Sequence, residues 1–112
     1  MMTLNEYQVS ARVTAIYPDR NRIGGLLYTS LGLAGETGEF CDKVKKVLRD
    51  SDGVVTPERS DALKRELGDV LWYLSQCACE LDYSLEDIAR ENLAKLGLRK
   101  EQGKLKGDGD NR

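Results

Sequence analysis

Apolar positions recur along the chain at three- and four-residue steps in four separate stretches, the spacing of amphipathic helices. Thr3-Leu4-Asn5-Glu6 has the form of a capping box. Leu4, Tyr7, Ala11 and Ala15 then share one stripe, and Pro18 closes the helix or opens a turn. A second helix is expected from about Gly25 to Leu48. It carries Leu26, Leu27, Leu31, Leu33, Phe40, Val44 and Val47 and is stopped by the turn cluster Asp50-Ser51-Asp52-Gly53. Thr56 suits an N-cap and Pro57 a first helical position, so a third helix starts there. Its stripe, Leu63, Leu67, Val70, Leu71, Leu74, Ala78 and Leu81, is the clearest in the chain. Ser84-Leu85-Glu86-Asp87 opens a fourth, with Leu85, Ile88, Ala89, Leu93 and Leu96 on its apolar side. Past Gly97 the sequence turns polar and glycine-rich and reads as a tail or loop. Only Val54-Val55 is β-branched in tandem, too short for a strand. The expected fold is all-α and four-helix-bundle-like. One domain covers 1–100, and a flexible polar tail covers 101–112.

Two acidic pairs break the pattern. Glu36 and Glu39 stand at i and i+3, and so do Glu66 and Asp69, with Tyr73 continuing that second row. Glu36 falls between Leu33 and Phe40, and Glu66 between Leu63 and Val70, so both sit at the margin of a core stripe. One reading makes these ordinary surface acids, with Glu39 pairing to Lys43 at i+4 for roughly 0.2–0.5 kcal/mol. The other brings all four carboxylates together between two packed helices, where a divalent cation offsets their repulsion. Gly35, Gly38 and Gly68 lie beside the acids and are expected to let the helices approach closely.

Asn92 interrupts the apolar side of the fourth helix, and Lys95 and Arg99 extend it into a ridge suited to phosphate oxygens. Lys43 and Lys46 extend the Glu36/Glu39 row in the same sense, although each lysine alone is an ordinary solvated charge. Trp72 is a candidate for stacking on a base or for burial at an interface.

The composition narrows the chemistry. With 112 residues and a formal net charge of −2, the chain lacks the basic balance of a nucleic-acid binder. No apolar run approaches a membrane span of roughly 20 residues, and no signal peptide stands at the N-terminus. The three cysteines, Cys41, Cys77 and Cys79, fit free thiols in a reducing compartment, so a cytoplasmic location is expected. There is no histidine, which removes His-ligated zinc and His general bases. A metal here would be a hard ion, Mg²⁺ or alternatively Mn²⁺, and a proton acceptor would be a carboxylate, Glu36 or Glu39. In "GDGDN", Asp108 and Asp110 alternate as in a calcium loop, but too few residues follow to close one.

Glu36-x-x-Glu39, 26 intervening residues, and Glu66-x-x-Asp69 resemble the two metal motifs of the all-α nucleoside triphosphate pyrophosphohydrolases, the MazG-like branch above all. "GLAGETGEF" and "ELGDVLWYL" resemble the two metal helices, and "ENLAKL" the later Asn-x-x-Lys segment. The resemblance runs over about residues 25–100. Gly35 before and Thr37 after Glu36 depart from relatives with a double glutamate, which leaves the ligand count open. The resemblance implies Mg²⁺-dependent hydrolysis of (d)NTP to (d)NMP and pyrophosphate, a nucleotide-pool house-cleaning role, and a homodimer or homotetramer. It further implies metal ligation by Glu36, Glu39, Glu66 and Asp69, phosphate binding by Asn92 and Lys95, with Arg99 a weaker match, and a place near the substrate for Tyr73. The tail is expected to order over a bound nucleotide. The alternatives are a non-catalytic helical module that oligomerises or binds a partner, and a nucleotide sensor without turnover.

Overall fold

A computed structural model describes residues 1–110; the last two residues of the expected tail, Asn111 and Arg112, lie outside the described residues. Four helices follow in order: α1 (Leu4–Arg12), α2 (Ile23–Asp50), α3 (Pro57–Glu80) and α4 (Leu85–Glu101). No strand occurs among the described residues, so the all-α expectation holds. No described helix is long and apolar enough to cross a membrane.

Three starts are set by local chemistry. The side-chain oxygens of Thr3, Thr56 and Ser84 accept from the backbone N–H groups of Glu6, Arg59 and Asp87, each satisfying an otherwise orphaned donor. α2 ends where the N–H groups of Ser51 and Gly53 fold back onto Val47 O. Asp52 and Gly53 take left-handed φ values of 51° and 78° there, as the turn cluster requires.

Two boundaries differ from expectation. α1 stops at Arg12, so Ala15 is buried from the following loop instead of from the helix. α4 runs through Gly97 to Glu101. A single helical glycine costs only about 1 kcal/mol, and the stop comes from Gly103, whose φ of 67° lets Lys104 N–H reach back to Arg99 O.

α2 and α3 pack as a long antiparallel pair, the dominant tertiary contact of the chain. The pairing is read from Lys43 opposite Glu66, and Asp50 near Arg59. α1 lies against α3, and α4 packs on α1. The loop between α1 and α2 is tied to α3 by a polar knot. Glu80, whose side chain is fully enclosed, accepts from Arg12 Nη1 (3.1 Å), Asn21 N–H (2.8 Å) and the Tyr17 hydroxyl. Arg12 Nη1 also donates to Gln76 Oε1 at 2.9 Å.

The chain alone does not enclose a conventional apolar core. The largest side chains with almost no exposure are Gln76, Thr29 and Ser75, while Leu31, Leu67, Leu74 and Leu93 are exposed. The radius of gyration, 16.9 Å, exceeds the value of about 13 Å expected of a compact domain this long.

Candidate metal centre

The α2–α3 seam stacks its residues in layers one helical turn apart. Glu36 comes from α2, and Glu66 and Asp69 from α3. Each offers a carboxylate oxygen, and the three oxygens lie within 4.8 Å of one another. Glu66 fixes the layer. Its Oε1 accepts from Lys43 Nζ at 3.2 Å, while its Oε2 is buried and has no hydrogen-bond partner. A buried anionic oxygen without a donor is costly. Burial raises the pKa of Glu36, and the neighbouring acids Asp69, Glu66 and Glu39 push it further up. A cluster of carboxylates with an orphaned inward oxygen is a donor set that fits a hard divalent cation.

Glu39 lies one turn beyond Glu36, exposed and outside the trio. Tyr73 stands on the next layer towards the C-terminus of α3. Its hydroxyl is raised in pKa by burial, then by the adjacent Tyr28 hydroxyl and the charges of Glu36 and Asp69. Tyr7 of α1 is likewise raised by burial and by Asp69, so α1 reaches the same neighbourhood. Trp72 is not a free stacking platform. Its indole N–H donates to Thr14 Oγ1 at 2.9 Å and its ring meets Tyr17 and Tyr73 edge-on.

The remaining sequence candidates are placed differently. Lys43 is held by Glu66, and Lys46 pairs with Asp42 at 2.7 Å. Lys46 and Lys45 together hold Asp42 at a pKa of about 2. Asn92 is exposed; with Ile88, Glu91 and Lys95 it lines an open cleft of about 320 Å³. Lys95 Nζ and the buried Arg99 Nη2 both donate to Asp110 Oδ1, at 3.0 and 3.2 Å, so the tail turns back onto α4. Among the described residues no hydrogen bond or ion pair joins this ridge to the acidic trio.

The glycine expectation is corrected. A Cβ on Gly35, Gly38 or Gly68 would meet nothing within 4 Å, because these positions face away from the α2–α3 seam. The close approaches are at Gly24 against Asp19, Gly25 against Glu80 and the Asp19 carbonyl, and Gly32 against Tyr73. Gly32 and Tyr28 are not among the sequence candidates, and Tyr7 figures there only in the first apolar stripe. The available signal was spacing: Gly32 precedes Glu36 by one turn, as Tyr73 follows Asp69 by one turn.

The family model for the MazG nucleotide pyrophosphohydrolase domain matches residues 26–103, which contain every candidate ligand. The chain belongs to the MazG family. This MazG chain is also similar to the Gene 37 protein of Mycobacterium phage L5, at 51% identity over 114 residues, covering 99% of this chain and 100% of the relative. No solved structure matches it.

Proposed function

We propose that this MazG domain is a divalent-cation-dependent pyrophosphohydrolase that converts a nucleoside or deoxynucleoside triphosphate and water to the monophosphate and pyrophosphate. The observation that carries the reading is the trio of Glu36, Glu66 and Asp69, in which Glu66 has a buried, unpartnered Oε2. A divalent cation would satisfy that oxygen.

Glu36, Glu66 and Asp69 would hold Mg²⁺ or Mn²⁺, with Glu39 as a further ligand or the proton acceptor. The ion supplies neutralisation of phosphate charge and lowers the pKa of water it binds. Lys43 keeps Glu66 Oε1 in place, leaving Oε2 for the ion. Glu39, exposed and one turn away, would take the proton of the attacking water. Asn92, Lys95 and Arg99 receive the phosphates, with Asp110 giving way to them.

α4 packs on α1 within the chain, and in this reading its ridge would serve the acids of a second copy. The exposed leucines of α2, α3 and α4 and the extended shape favour that homo-oligomer. The free cysteines suit a cytoplasmic enzyme acting on the nucleotide pool.

A panel of NTPs and dNTPs with Mg²⁺, assayed for pyrophosphate, tests the reading. Release should occur with at least one nucleotide, stop on chelation, and be abolished in Asp69→Asn. A panel with no release from the wild type overturns it.

A further inference from the structure

Gly32 is the second point at which the α2–α3 seam departs from ordinary helix packing. A glycine inside a helix costs about 1 kcal/mol relative to alanine. Gly35, Gly38 and Gly68 of these two helices have no steric reason in the chain, since a Cβ there would meet nothing within 4 Å. Gly24 and Gly25 serve the loop, against Asp19 and Glu80. Gly32 differs: Tyr73 Cε1, Cδ1 and Cζ all stand within 2.5 Å of where its Cβ would be. The phenol ring lies against the bare backbone of α2.

That ring belongs to the layer next to the acids. Gly32 is four residues before Glu36 and Tyr73 four after Asp69, so ring and trio occupy successive turns of one seam. Tyr73 is half-buried, edge-on to Trp72 at 5.0 Å, with Tyr28 beside its hydroxyl. The acids take the phosphate end of a bound nucleotide. A flat ring with one hydroxyl, on the adjoining layer, suits the nucleoside end.

We infer that Gly32 is a positioning residue: its missing side chain seats the Tyr73 ring on α2, so that the phenol forms the nucleoside-facing wall beside the carboxylate trio. The inference rests on the proposed nucleotide reading. Ordinary carbon contacts are ~3.5–4 Å, so any side chain at 32 drives the ring off by about 1 Å or more. A misplacement of that size costs up to ~100-fold at a binding or reacting group.

The test compares Gly32→Ala, Tyr73→Ala and the double variant, with Tyr73→Leu replacing Tyr73→Ala should that not fold. Three quantities are read: KM and kcat for the nucleotide turned over fastest, Kd for its α,β-imido analogue, and the melting shift produced by Mg²⁺ alone. Gly32→Ala should raise KM and Kd about tenfold with a smaller change in kcat, and keep the Mg²⁺ shift. In the Tyr73→Ala background it should add nothing, because the room is already there. Wild-type KM and Kd in Gly32→Ala, an additive double variant, or loss of the Mg²⁺ shift would each overturn the role. A wild type that binds the analogue without releasing pyrophosphate sinks the hydrolase reading and leaves Gly32 to be judged on Kd. A wild type that does neither sinks both.

Discussion

Replacing Glu66 with Gln should stabilise the metal-free protein while removing its response to metal. The carboxylate oxygens of Glu36, Glu66 and Asp69 lie within 4.8 Å of one another. At an effective dielectric of ~20, two unit charges at that separation repel by about 3.5 kcal/mol, and at ~80 by about 0.9 kcal/mol. Glu66 feels two such neighbours, and its Oε2 has no donor to offset burial. Against this stands the Lys43–Glu66 ion pair, with side chains 36% and 14% exposed, worth about 1 kcal/mol at most. The net gain expected for Glu66→Gln without metal is about 1–3 kcal/mol. For a domain this size, each kcal/mol moves Tm by roughly 4–8 °C. Saturating Mg²⁺ should reverse the order. A ligand at about 100 times its Kd adds about 2.7 kcal/mol to the wild type, and the variant gains little of that. Thermal melts in EDTA and in Mg²⁺, at equal protein concentration, read both effects. If Glu66→Gln melts below the wild type in EDTA, or keeps the full Mg²⁺ shift, Glu66 is not a strained ligand awaiting a cation.

The polar knot gives a second prediction. Glu80→Ala strips Arg12 and Tyr17 of an enclosed partner and should cost about 3 kcal/mol in urea unfolding; an unchanged midpoint would contradict the packing. The knot also sets a pH dependence. Burial would raise Glu80, but hydrogen bonds from Tyr17, the Asn21 N–H and Arg12 more than offset it and its pKa falls. Its contribution is therefore present above the ordinary carboxylate range and is lost as pH drops through the lowered value. Burial and Glu80 push Tyr17 up to about 12, so its contribution holds to about pH 10 and fades as pH climbs through 12. Stability against pH should lose its acid limb in Glu80→Ala, and an identical limb in both proteins would exclude this source. Asp110→Asn removes the acid that occupies Lys95 and Arg99. It should lower KM for a triphosphate by up to ~5-fold, the scale of an exposed ion pair, and a raised KM would show that Asp110 helps binding. Gly97→Ala should raise Tm by about 1 kcal/mol equivalent, since its Cβ meets nothing within 4 Å; a lower Tm would mean that something covers this face.

Local chemistry made the helix starts legible. A threonine or serine three residues before a free N–H is a complete statement, and Thr3, Thr56 and Ser84 behave as their neighbours dictate. Three of the four acids expected together, Glu36, Glu66 and Asp69, do meet, for a related reason, while Glu39 stays outside. Spacing at i and i+3 fixes a shared face, and two such faces on consecutive antiparallel helices meet. What spacing cannot give is which neighbour a face meets. Gly35, Gly38 and Gly68 sat beside the acids in sequence but point away from the seam, and Gly32, further off, does the close packing. Nor does spacing give exposure: α4 packs on α1 and leaves the Asn92 amide exposed. Glu80 and Arg12 were invisible because a buried ion pair has the composition of a surface one. Gly97 looked like a stop, but a helical glycine ends a helix only where φ turns positive, and that happens at Gly103.

The places where local and tertiary preferences disagree are the informative ones. In the polar knot the conflict is resolved within the chain. Glu80 is enclosed, yet each of its oxygens has donors. Glu66 is nearly as enclosed and is not satisfied: one oxygen has Lys43 and the other has nothing. The two buried glutamates lie on the same helix, and the fold shows with Glu80 that it can surround a carboxylate with donors. Glu66 Oε2 is left bare beside two further acids, which is the feature that the proposed cation would answer. Tyr73 on Gly32 adds a shaped surface one turn away, where a cation alone would need none. A bare anionic layer beside an aromatic one matches a ligand with two unlike ends, charged phosphates and a flat nucleoside.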